Sequence, residues 1–165
     1  MKKIKIVLLI FSLSSAVFAQ DKSVKEINTL LDSWHKAAAE AKFESYFDAL
    51  TEEAIFIGTD ATENWDKKAF QTFAKPYFDK GKAWNFKSLE RHVYFDKDKK
   101  IAWFDELLDT QMKICRGSGV VVKVRNEWKI QHYVLSMTIP NENSDAVVKI
   151  KAPIEDGLIS KLNAK

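Results

Sequence analysis

The sequence predicts an α+β domain, with helices first and a mostly antiparallel sheet after them. Three observations carry this. From Ser23 to Ala41 apolar residues recur every three or four positions, the spacing of one helix face. Beyond Gly81 the period falls to two, the spacing of strands. Two β-rich runs, residues 116–124 and 128–140, flank the short polar break Arg125-Asn126-Glu127 and so predict a long antiparallel hairpin.

The first residues predict a targeting segment. Met1-Lys2-Lys3-Ile4-Lys5 is basic, Ile6 to Phe11 is apolar, and small residues lead to Val17-Phe18-Ala19. The run is too short to span a bilayer stably, so the expectation is a signal peptide over residues 1–19, cut before Gln20, and a periplasmic or secreted product. An uncleaved N-terminal anchor is the weaker alternative. No cysteine follows to carry a lipid, and no stable membrane anchor is expected. Cleavage also settles the charge. Of 26 basic and 23 acidic residues, Lys2, Lys3 and Lys5 leave with the signal and no acid does, so 23 of each remain. A phosphate backbone demands surplus Lys or Arg, so no nucleic-acid partner is expected. The remaining length suits one domain.

In the helical stripe fall Val24, Ile27, Leu31, Trp34, Ala38 and Ala41. Ser23 with Glu26 has the spacing of a capping box, and His35, beside the stripe, is expected at the surface. A short second helix is expected over Phe43–Leu50 and a strand over Ala54–Ile57. A polar loop follows over residues 59–65. Asp66 is placed to cap a third helix that Pro76 should kink or end and Gly81 should terminate. A long strand is expected from Ala83 to Phe95, bulged near Ser88 where the apolar parity shifts to Leu89, Val93 and Phe95. A charged turn, Asp96 to Lys100, leads into a strand over Ile101–Met112. After Pro140 a polar linker precedes a tail, residues 142–165. Its first part, Asp145–Lys151, is either a short helix or an edge strand, and an amphipathic piece starts at Pro153.

The hairpin raises the question of function. Alternation predicts that Arg116, Ser118, Val120 and Val122 share one face, and Trp128, Ile130, His132, Val134 and Ser136 another. A face mixing apolar groups with a guanidinium, an imidazole and hydroxyls reads as a cavity wall. Apolar residues of the opposite parity, such as Val121, Tyr133 and Leu135, fit a sheet covered on both sides. Other chemistries are poorly supported. Cys115 is alone, so neither a disulfide nor a Cys/His metal site has its partners, and a strand cysteine is more often a packing residue. No two His residues stand at metal-ligand spacing, and no metal or cofactor is expected. Arg116-Gly117-Ser118-Gly119 lacks the strand–turn–helix setting of a phosphate loop; its glycines more simply permit curvature or close backbone approach.

In order and spacing, the chain resembles the SnoaL-like branch of the nuclear-transport-factor-2-like superfamily. The resemblance is carried by the helix with Trp34, the loop Gly58-Thr59-Asp60 through Glu63 and Trp65, the strand Ala102-Trp103-Phe104-Asp105-Glu106, Arg116-Gly117-Ser118-Gly119, and Trp128-Lys129-Ile130 with His132 and Ser136. It implies a cone over residues 20–141: a curved sheet wrapped around the long first helix, two further helices, and a pocket at the wide end. It also implies a choice of functions, since such domains include isomerases, cyclases and dehydratases as well as binding and assembly modules, and fold alone does not decide among them. The pocket would gather Trp34, Asp60, Glu63, Trp65, Trp103 or Glu106, Arg116, Ser118, His132 and Ser136. If chemistry occurs, His132 or Asp60 would be the base and Arg116 the anion clamp. Against this, a strand His is commonly a satisfied core residue, and Glu63 with Arg116 would form a merely structural ion pair. The expectation is a non-enzymatic domain that binds a small hydrophobic or carbonyl-bearing ligand or self-assembles. The alternative is an isomerase, cyclase or dehydratase using general acid/base chemistry. The resemblance further implies a homodimer through the sheet face.

Overall fold

The computed structural model describes residues 22–164, so the signal-peptide expectation lies outside the described residues. Helix α1, residues 22–39, buries the expected stripe: Ile27, Leu31, Trp34 and Ala38 are all within the core. Ser23 does not cap it. Lys22 is already helical and lies at 3.8 Å from Glu26, so Ser23 sits within the helix rather than at its cap, buried. Ala41, at φ 53°, turns the chain into α2 (Phe43–Asp48), whose Tyr46 and Phe47 join the core.

Strand β1 (Leu50–Ile57) starts earlier than expected and leads to β2 (Asn64–Asp66), which takes the last two residues of the expected loop and the capping Asp66 and pairs antiparallel to β1. Helix α3 (Lys67–Asp79) begins as its sequence dictates, with the Asp66 carboxylate accepting from the Ala69 N–H at 2.7 Å. Pro76 does not end it; the helix continues to Asp79, and Gly81, at φ 72°, makes the exit. Residues 82–86 are irregular rather than strand. The sheet then completes as β3 (Lys87–Phe95), β4 (Ile101–Thr110), β5 (Lys113–Val124) and β6 (Glu127–Met137). The expected bulge is present, with β3 shifting register against β4 between Ser88 and Glu90. Arg125 and Asn126, both at positive φ, form the two-residue turn whose twist matches its flanking strands.

The six strands lie in the order β2-β1-β6-β5-β4-β3, antiparallel throughout except for β1 beside β6. This curved, open sheet wraps α1 with α2 and α3, which is the expected α+β cone. The enclosed core is strongly aromatic. Trp34 stacks on Tyr46 at 4.9 Å between centroids and meets Tyr133 edge-on at 4.7 Å, while Phe56 stacks on Phe70 at 4.0 Å. After a turn at Asn141–Asn143 the tail is one continuous helix, α4 (Ser144–Asn163), running through Pro153 with no buried residue. Among the described residues no helix is long and apolar enough to cross a membrane.

Candidate functional site

Which side chains enter the cone is decided by strand parity. Along β4 the inward residues are Ala102, Phe104, Glu106, Leu108 and Thr110; along β5 they are Cys115, Gly117, Gly119 and Val121. Arg116 and Ser118 therefore point to the outer face, where Arg116 is exposed. In β6 the expected single face is broken. Val121 opposes Ile130 but Val120 opposes His132, so Gln131 is an extra residue. This bulge inverts the parity beyond it. Trp128 and Ile130 face in, and so do Tyr133 and Leu135, leaving His132, Val134 and Ser136 facing out. The expectation that Arg116 and His132 line the cone is thus corrected, and the weighed Glu63–Arg116 ion pair is absent among the described residues. Gly117 faces in because nothing larger fits: a Cβ there would stand 2.1 Å from the Tyr133 hydroxyl.

Two features occupy the interior. The deeper is a cluster around Glu106, whose side chain is wholly buried. Its Oε1 accepts from the Tyr133 hydroxyl at 2.9 Å and lies 2.8 Å from His35 Nε2, the proton-bearing nitrogen if the carboxylate is ionised. Its Oε2 accepts from Arg91 Nε at 2.9 Å and Nη2 at 2.7 Å. Arg91 in turn reaches Asp32 at 2.9 Å and the Asn28 carbonyl at 3.3 Å on α1. Burial is the largest influence on the Glu106 carboxyl and pushes its pKa up. The hydrogen bonds and charges of His35 and Arg91 together outweigh it and hold the carboxyl below its usual range. Burial, followed by the charge of Glu106, pushes the Tyr133 hydroxyl well above the usual phenol range. Glu106 is thus a fixed anion, not a poised acid.

The second feature is a cavity of about 210 Å³ at the wide end, between α3, the irregular residues 82–86 and the ends of β1, β4 and β6. Its wall is Phe56, Trp65, Phe70, Phe73, Trp84 and Phe86. Several rings lie nearly parallel: Trp65 to Phe73 at 4.5 Å and 23°, Trp65 to Phe70 at 5.6 Å and 11°, Phe70 to Trp84 at 5.9 Å and 19°. Thr59, Glu63 and Gln111 supply most of its polarity, and among the described residues no Lys, Arg or His lines it. The Glu63 carboxylate is seated over Gly58, where a Cβ would stand 2.1 Å from its Oε2, and accepts from the Asp60 N–H at 3.2 Å.

Of the expected site residues, then, Glu63 and Trp65 line the mouth cavity and Glu106 lies in the deep cluster. Trp34 is core, with no partner for its indole N–H. Trp103 is on the outer face, about half exposed, stacked with Tyr94 at 6.1 Å. Asp60 lies exposed in the loop; the Thr62 hydroxyl, at 2.6 Å, and then its backbone N–H hold its carboxyl below the usual range, opposite to what a base at neutral pH needs. Three members of the cluster were not foreseen. His35 was expected at the surface but is buried; Leu31, His35 and Ala38 stand at spacings of four and three, so it belongs to the stripe. Arg91 shares its parity with Val93 and Phe95, and Tyr133 required knowledge of the bulge.

Residues 27–140 match the family described as the SnoaL-like domain. The chain belongs to that family. Solved structures agree with a SnoaL-like fold. A protein from Novosphingobium aromaticivorans, provisionally named a scytalone dehydratase, superposes with a TM-score of 0.64 at 10% identity, covering 74% of this chain and 89% of that one. A provisionally named dehydratase of the NTF2-like family from Streptomyces avermitilis gives 0.63 at 10% identity, covering 73% and 99%. An NTF2-like protein of unknown function from Pseudomonas putida gives 0.59 at 13% identity, covering 72% and 89%. At such identities the likeness is one of fold. No curated protein matches the sequence.

Proposed function

We propose that this SnoaL-like chain is an exported, non-enzymatic binding domain whose mouth cavity takes a small, flat, largely apolar ligand. One observation carries this: the aromatic cavity is open and its carboxylate has room for a partner, whereas the acid/base groups of the interior bond to one another and none of them lines it. Ligand sites are commonly apolar with few polar anchors, which is this cavity's composition. The test is quenching of tryptophan fluorescence by a panel of small aromatic compounds, with Trp65→Ala as control. Saturable quenching lost in that variant supports the reading; absence of binding across the panel defeats it.

Catalysis on a hydrophobic carbonyl compound is the second reading. It is favoured by a surface groove between α1 and β3 that is lined by His35 and Arg91. Turnover in a carbonyl-substrate screen, lost in His35→Asn, would replace the binding reading. Association of two copies through the outer sheet face is supported by its exposed Tyr94, Ile101, Trp103 and Ile114. A sedimentation coefficient independent of concentration would defeat it. Export rests on residues 1–19, and intact mass of secreted material should give a chain beginning at Gln20.

A further inference from the structure

The mouth cavity holds one residue that a purely apolar ligand would not require. Glu63 contributes a carboxylate to an aromatic wall to which no basic side chain belongs among the described residues. Its protein hydrogen bond is the single 3.2 Å contact from the Asp60 N–H, and it forms no ion pair with any described residue. Its place is built: the missing Cβ of Gly58 leaves the space that its Oε2 occupies. A neutral hydrocarbon filling the cavity would satisfy the rings but strip water from a carboxylate with no counter-charge, an unfavourable exchange. An anion would add repulsion. A cation resolves both, because ring faces attract positive charge and the carboxylate pairs with it. Among the described residues no lysine lines the cavity; Lys75 lies over Phe43 and Lys123 over Trp128, both away from it.

We propose that the mouth cavity selects a small organic cation, of the quaternary or tertiary ammonium class, held between its aromatic wall and Glu63. The proposal rests on reading the mouth as a ligand pocket and adds the charge of what enters it. The experiment compares phenyltrimethylammonium with tert-butylbenzene, its uncharged isostere, by ligand-observed NMR titration of the full chain. The wild type should bind the cation at least tenfold more tightly. In Glu63→Gln that preference should fall to within about threefold while the neutral probe still binds. Gly58→Ala, which displaces the carboxylate without removing it, should also reduce the preference. Circular dichroism identifies whichever variant remains folded for the comparison. Equal affinity for the two probes in the wild type overturns the proposal but leaves the pocket standing, as does a preference that survives Glu63→Gln. If neither probe binds, the pocket reading fails and this proposal with it.

Discussion

Glu106 and Glu63 are two carboxylates of one cone, and the fold treats them in opposite ways. Glu106, at the centre of β4, is fully buried and meets four hydrogen-bonding atoms from α1, β3 and β6. Glu63, in the loop before β2, is partly exposed, faces aromatic rings and receives one long hydrogen bond from the protein. By residue type alone the deep cluster is the more catalytic of the two regions, since it contains His, Glu, Arg and Tyr. By geometry it is the more inert. A carboxylate whose lone pairs are all engaged ties helix to sheet, and its conjugate groups are correspondingly occupied. The mouth has fewer ionisable groups but leaves its charge for something else to meet.

The sharpest way to break this contrast is to remove the deep carboxylate. Glu106→Gln leaves the buried Arg91 with only the exposed Asp32 as counter-charge and takes the carboxylate from His35, and loss of one partner of a buried ion pair costs about 3–5 kcal/mol. Urea unfolding should show that loss, while the variant's folded fraction keeps its affinity for a mouth ligand. A loss below about 1 kcal/mol would mean the cluster is not the structural tie described. Acid should show the same dependence. Because the folded carboxyl is held below its usual range, its contribution is complete above about pH 4.3, the ordinary glutamate value, and disappears as pH falls through the folded-state pKa. The urea midpoint of the wild type should decline in that window, and that of Glu106→Gln should decline less.

Gly117→Ala attacks the same cluster through the backbone. Its Cβ would meet the Tyr133 hydroxyl at 2.1 Å and the Glu106 Cγ at 3.0 Å, so the ring must move and its bond to Glu106 must break. Overpacking and a broken buried hydrogen bond each cost about 1–3 kcal/mol, and a loss in that range is expected by thermal or urea unfolding.

These variants also mark where the sequence could be read. The elements were legible because each carries a local period or a cap: the stripe of α1, Asp66 at α3, the parity shift near Ser88. The contents of the cone were less so. Arg116 and His132 stand out as polar groups in β-rich runs, but glycines at 117 and 119 hide which parity of β5 is internal, since a residue without a side chain has no polarity to read. The extra residue at Gln131 then exchanged His132 for Tyr133. Glu63 and Trp65 were placed at the mouth by resemblance to a known fold, not by any period of their own. The tail helix passes through Pro153, where local propensity predicts an interruption.

A smaller test separates satisfied from unsatisfied polar atoms within the core itself. The Tyr46 hydroxyl is buried with no hydrogen bond of ordinary geometry; burial pushes its pKa well above the usual phenol range, and a marginal hydrogen bond with the Trp84 side chain lowers it only weakly. Tyr46→Phe removes an unpaired polar group at almost constant shape. It should be neutral or stabilise by up to about 1 kcal/mol in urea. Destabilisation beyond that would indicate a partner for the hydroxyl and weaken the division between a satisfied cluster and a dry aromatic core.

The smallest effect is expected at two polar residues of the β5–β6 hairpin. Arg116 lies on the outer face of β5, exposed, opposite Leu107 and Ser136, with no ion pair among the described residues. His132 is on the same face of β6, beyond the bulge. Arg116→Ala should change stability by no more than about 0.5 kcal/mol, the ordinary range for surface positions, and His132→Ala, at a half-buried position, by no more than about 1 kcal/mol. Neither should alter affinity for a mouth ligand by more than about twofold, because a charge on the far side of a packed sheet is too distant and too well solvated to act on the cavity. If Arg116→Ala abolished binding, the ligand would sit on the outer face, and the aromatic mouth with Glu63 would lose its claim to be the site.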